Sequence, residues 1–146
     1  MKHISRILLV VCFSVLFGCG PQVQIEGNES ESNLIIDEKR DLLAIYALVE
    51  NTSTIPSGSL YAKFELHHEK LISFFGQDAL IFQDQSGDPF MFKVGANNGY
   101  FISQMFDFTE TIPEEEFVGA IEVVIYTDKD EVVEQFPITN VEKVEQ

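Results

Sequence analysis

Leu60-Tyr61-Ala62-Lys63-Phe64-Glu65-Leu66-His67 alternates without a break. Leu60, Ala62, Phe64 and Leu66 fall on one side, and Tyr61, Lys63, Glu65 and His67 on the other. A period of two is the signature of a strand with one face against a core. The same period continues downstream: Tyr100, Ile102, Phe106 and Phe108 alternate with Phe101, Ser103, Met105 and Asp107. Phe117 to Tyr126 reads as one long strand, turned by Thr127-Asp128-Lys129-Asp130 into Glu131 to Ile138.

Between these lie shorter runs. Leu71 to Phe75 and Ala79 to Phe82 are apolar and are divided by Gly76-Gln77-Asp78. Ser86-Gly87-Asp88-Pro89 is a turn ahead of Phe90 to Val94. Asn97-Asn98-Gly99 is the strongest hairpin signal, because Asn and Gly tolerate positive φ. Glu114 to Glu116 mark an exposed loop after Pro113. Asp41 to Glu50 has two readings. Leu42, Ile45, Tyr46 and Val49 fit a helical stripe with Asp37 as its cap, yet the unbroken apolar run from Leu42 to Val49 suits a strand buried on both faces. The strand reading is preferred.

About seven or eight short strands with turn signals between them predict an all-β, antiparallel β-sandwich. The order resembles the immunoglobulin-like domains of small bacterial envelope lipoproteins. The likeness rests on Gly76-Gln77-Asp78-Ala79-Leu80-Ile81-Phe82, Asn98-Gly99-Tyr100 and Phe117 to Tyr126, and spans about 60–138. It implies an immunoglobulin-like sandwich and no particular activity. The Cys…Trp…Cys signature of antibody domains is absent, since the chain has no Trp.

The N-terminus reads as a targeting segment. Lys2 and Arg6 precede the apolar stretch Ile7 to Phe17, too short for the roughly 20 residues of a membrane-spanning helix. The stretch ends in Leu16-Phe17-Gly18-Cys19, which resembles the lipobox of bacterial lipoproteins. The resemblance implies a signal peptide over 1–18, cleavage before Cys19, and a diacylglycerol on the Cys19 thiol. Val11 precedes Cys12, so Cys12 does not fit the pattern. Two or three acyl chains hold a protein stably where one is marginal. The expected localisation is the bacterial cell envelope, and Gly20 after the cysteine favours the outer membrane in a Gram-negative host.

Removing the signal leaves seven basic against 24 acidic residues, a formal charge of −17. Such a surface repels phosphate backbones, which excludes nucleic acid as a partner and suits a cationic one. With Cys19 lipidated no thiol remains for a disulfide, so the fold depends on its apolar core. Gly20 to Asn33 (GPQVQIEGNESESN) is polar and reads as a tether. The expected organisation is therefore signal 1–18, lipidated Cys and tether 19–33, sandwich 34–140 and polar tail 141–146. Asn28-Glu29-Ser30 and Asn51-Thr52-Ser53 match the glycosylation sequon, a use that the resemblance to bacterial lipoproteins does not imply.

No catalytic residue is expected. The chain lacks a G-x-S-x-G elbow, and beyond His3 its only histidines are adjacent, His67 and His68. Side chains of neighbours on a strand point to opposite faces, so these two do not chelate one metal together. No metal or other cofactor is assigned. Asp84, Asp88, Asp128 and Asp130 are weak calcium candidates in turns, and neither segment completes an EF-hand loop. Phe101, Phe106, Phe108 and Phe117 could line a ligand groove, but filling the interior is the simpler use. The functional expectation is a membrane-anchored, non-enzymatic binding or structural module with an envelope protein as partner. The alternatives are a calcium-dependent adhesion or assembly module, a carboxylate-based hydrolase of envelope polymers, and a carrier with an aromatic cavity.

Overall fold

A computed structural model describes residues 22–144. The signal and Cys19 lie outside the described residues. Among the described residues eight strands and two short helices follow in order: β1 (Ile25–Asp37), β2 (Leu42–Asn51), β3 (Leu60–Leu66), α1 (Glu69–Phe75), β4 (Ala79–Ile81), β5 (Asn98–Asp107), α2 (Glu114–Phe117), β6 (Ile121–Thr127), β7 (Val132–Pro137) and β8 (Asn140–Val144). They form two four-stranded sheets, β5-β2-β1-β8 and β4-β3-β6-β7. This is the expected immunoglobulin-like β-sandwich, with one departure from all-antiparallel pairing: β8 runs parallel to β1. Among the described residues no helix is long and apolar enough to cross a membrane.

The period-two stretches fold as their patterns require. Leu60, Ala62, Phe64 and Leu66 are all buried on the inner face of β3, opposite Val123 and Ile125 of β6. Asp41–Glu50 resolves as strand. It lies between β1 and β5, with Leu43, Ile45, Ala47 and Val49 fully buried, Ala44 buried on the other face, and Leu42, Tyr46 and Leu48 half-buried. A central strand covered on its inner face and flanked on both sides needs that density of apolar residues. Asp37 caps no helix; its backbone and side-chain oxygens both accept from the Arg40 N–H in the β1–β2 turn.

The tether is the main correction. Ile25–Asn33 belongs to β1, and the sandwich extends nine residues further toward the N-terminus than expected. Its pattern escapes notice because the inward positions are filled by Ile25, Gly27 and Ser32 instead of a row of large apolar side chains, and a bulge interrupts the register between Asn28 and Asn33. Buried Ser32 bridges that bulge. Its hydroxyl donates to the Asn28 carbonyl at 2.7 Å and accepts from the Leu48 N–H at 3.0 Å. The tail is likewise structured, since Asn140–Val144 is β8.

Five smaller expectations are also revised. Leu71–Phe75 lies in helix α1, because the His68 ring nitrogen caps its start by accepting from the Lys70 N–H and Gly76, at φ 67°, closes its end. Phe90–Val94 forms no strand beyond a bridge from Phe92 to Leu60, and Asn97–Gly99 leads into a strand paired with β2 instead of making a hairpin with that run. Glu114–Glu116 and Phe117 form α2, and Gly119 at φ 71° separates it from β6, which starts only at Ile121. Phe74 and Phe75 of α1 then meet Phe106 and Phe108 edge-to-face, closing one end of the core with Phe117.

Candidate functional site

The outer face of the β5-β2-β1-β8 sheet is apolar at its centre. Register places Phe101 beside Leu48, Ser103 beside Tyr46 and Asn33, Met105 beside Ala44 and Ile35, and Leu42 between Asp107 and Asp37. On the far side β8 contributes Glu142 next to Ile35 and Val144 next to Asp37. Met105 and Phe101 are 64% and 59% exposed, the highest values among the large apolar side chains of the described residues. Around this centre stand carboxylates: Glu26 and Glu50 at one end, Asp37 and Asp107 at the other, and Glu142 on β8. A depression of about 470 Å³ lies at the Asp37 end, floored by Ile35, Leu42, Ala44, Tyr46 and Met105. Lys39 and Arg40 of the β1–β2 turn overhang it, the Arg40 guanidinium 3.7 Å from Asp37.

The outer face of the other sheet is polar and aromatic. Tyr61 and Tyr126 are opposite each other across β3 and β6, and their rings stack with centroids 5.1 Å apart. The Lys63 ammonium lies 4.8 Å from the centre of the Tyr126 ring, within cation–π range. Tyr61 donates its hydroxyl proton to Asp130 at 2.6 Å. Burial, then that hydrogen bond and the Asp130 charge, push the Tyr61 pKa up to about 12. Further along the same face Glu65 and Glu122 are directly opposite each other. The His67 Nε2 is 3.2 Å from Glu122, while His68 turns away to Glu116 at 2.9 Å. The two histidines thus serve separate partners, as their adjacency requires.

The calcium candidates are not gathered. Asp84 spends its Oδ1 within its own turn, accepting from the Ser86 hydroxyl at 2.6 Å, the Ser86 N–H at 2.8 Å and the Asp88 N–H at 3.2 Å. The Ser86 hydroxyl bond first, with the backbone N–H groups, lowers the Asp84 pKa. Asp130 is engaged by Tyr61, and Asp128 sits in the β6–β7 turn. Among the described residues only Glu65, His67 and Glu122 bring three metal-ligating atoms within 4.8 Å of one another.

The four phenylalanines considered for a groove do not form one. Phe106, Phe108 and Phe117 point into the sandwich, whereas Phe101 points out from the opposite face of β5. Asn51 of the second sequon is 1% exposed, and its amide donates to the Ile55 and Val94 carbonyls, so it is a core hydrogen-bonding residue and no glycan acceptor. Sequence reasoning missed Ile35, Tyr46 and Leu48 as half-buried residues of an outer face and Glu65 with Glu122 as a pair. The former look like core in a dense apolar run, and the latter depend on inter-strand register.

No family model matches the chain, and no curated protein matches it. Several solved structures are similar in shape. One is the CARDB domain of a Pyrococcus furiosus protein in complex with di-metal ions, with 11% identity, a TM-score of 0.43, and coverage of 84% of this chain and 94% of that one. Another is the ligand binding region of serine-glutamate repeat protein A of Enterococcus faecium, with 7% identity, a TM-score of 0.37, and coverage of 86% and 99%. A β-glucosidase from Listeria innocua matches at 10% identity and a TM-score of 0.39 over 86% of this chain and 17% of its own. All three scores fall below 0.5.

Proposed function

We propose that this chain is a lipid-anchored, non-enzymatic binding module of the bacterial cell envelope, held through Cys19, which grips an envelope protein on the outer face of its β5-β2-β1-β8 sheet. The observation that carries the reading is the group of outward apolar side chains Phe101, Met105, Leu48, Tyr46 and Ile35, bordered by five carboxylates and, at the Asp37 end, by Lys39 and Arg40. Protein interfaces have that anatomy, an apolar core and a polar rim. The acidic rim and the formal charge of −17 after signal removal select a partner whose own apolar patch is framed by lysine and arginine. Outer-membrane placement follows from Gly20 if the host is Gram-negative.

β1 begins at Ile25 beside Asn51, at the Glu26–Glu50 end of the face, and the Lys39–Arg40 turn is the far end. Five residues separate Cys19 from Ile25 in the sequence, a reach of at most roughly 20 Å. The partner is therefore sought close to the lipid surface.

The test is chemical crosslinking in intact cells. One dominant basic envelope protein is expected with the native chain, and its loss in Cys19→Ser and in the Phe101→Asp, Met105→Asp double variant. An unchanged adduct in the double variant removes the face from the account. Cys19→Ser is expected to leave the chain unprocessed or soluble, and a membrane-bound product of normal size removes the anchor.

A further inference from the structure

We propose that Glu65, His67 and Glu122 form a binding site for a divalent transition ion of the zinc class. The site is on the opposite sheet from the apolar face and is independent of what that face holds.

The geometry begins with register. β3 and β6 are antiparallel, and their alignment sets Glu65 directly against Glu122 on the outer face. Like charges directly opposite on paired strands repel and destabilise the sheet. The neighbour best placed to relieve them from within β3 is Lys63, two residues before Glu65 on the same face. Its ammonium instead lies over the Tyr126 and Tyr61 rings, 4.8 and 5.7 Å from their centres. Two residues after Glu65, again on the same face, His67 brings its Nε2 to 3.2 Å from Glu122. The result is one imidazole nitrogen and two carboxylates, with ligand atoms all within 4.8 Å of one another.

That donor set has a chemical preference. Zinc takes imidazole nitrogen and carboxylate oxygen at about 2.0–2.2 Å in four-coordinate sites. Calcium prefers six to eight oxygens and has no use for the imidazole. Three protein donors leave one position open to water or to a donor from a partner. Their backbone positions are fixed by β3–β6 pairing, or follow directly from its end in the case of His67, and the three ligand atoms already lie within 4.8 Å of one another. An ion there replaces the repulsion of the two carboxylates with shared coordination.

The experiment is calorimetric titration of the purified mature chain, lipidated at Cys19, with zinc chloride, with calcium and magnesium chloride as comparisons, and melting curves on the same samples. One saturating zinc per chain is expected, with a rise in melting temperature that calcium and magnesium do not reproduce. His67→Ala, Glu65→Gln and Glu122→Gln each remove a donor, and the expected loss of affinity exceeds the roughly 10–100-fold of losing an outer hydrogen-bond partner. His68→Ala, whose side chain faces Glu116, retains the binding. His67→Ala is at an exposed position, and its folding is checked by the melting curve without metal. Absence of saturable zinc binding overturns the proposal. So does zinc binding that is equal in the native chain and His67→Ala, which is the behaviour of a merely acidic surface.

Discussion

Gly27 of β1 lies directly under the ring of Phe136 on β7, so close that a methyl group added at Gly27 would overlap the ring carbons. The two residues belong to different sheets, and the contact brings the edge of one sheet onto the other. Glycine is needed here for closeness of approach, since its φ is not in the left-handed region. Phe136 is buried and has no room to retreat without disturbing the core.

Gly27→Ala is therefore expected to destabilise the domain by about 1–3 kcal/mol, the usual cost of overpacking. Urea denaturation measures it. Phe136→Leu in the same chain should recover part of the loss, giving a coupling energy in the double-mutant cycle. Additive effects would mean that the two do not touch.

The β1 bulge depends on two side chains. Ser32 links the Asn28 carbonyl to the Leu48 N–H, and the Asn140 amide donates to the Glu29, Ser30 and Ser32 carbonyls at 2.9, 3.2 and 3.0 Å. Ser32→Ala leaves a buried N–H unmet and should cost about 1–3 kcal/mol. Asn140→Ala should release β8 and speed amide exchange in Asn140–Val144 before the rest of the domain opens. Uniform exchange across the sheet would contradict that role.

Tyr61 makes the stability pH-dependent at the alkaline end. Burial first, then the hydrogen bond to Asp130 and the Asp130 charge, raise its pKa from 10.0 to about 12. The fold favours the neutral phenol, so its contribution is complete below pH 10 and is lost as pH rises toward about 12. Tyrosinate absorbance should show one tyrosine titrating near 12, and Asp130→Asn should bring that midpoint down while burial keeps it above 10. A single step at 10 for every tyrosine would contradict the contact.

How much of this was legible depended on what each inward position held. Leu60–Leu66 could be read directly, because every inner position carries an apolar side chain and every outer one a polar or amphipathic side chain. β1 could not, because Gly27 and Ser32 occupy inward positions for reasons that lie on other strands: the Phe136 ring and the Leu48 N–H. Helix α1 was not legible because its apolar run, Leu71–Phe75, is too short to show a helical period, and its cap is an unusual His68. The alternation in β5 separated Phe101 and Met105 from Ile102 and Phe108, but which set faced the core depended on the pairing with β2. The Glu65–Glu122–His67 group needed the register of strands 55 residues apart, which no local pattern encodes.

The most direct measurement places a photo-crosslinking amino acid at position 101, on the apolar face, and separately at position 126, on the other sheet, in cells carrying the lipid-anchored chain. The account predicts one envelope protein with a basic surface, captured from position 101 and not from position 126. No adduct from 101, or the same adducts from both positions, would contradict the claim that this face is where the protein binds.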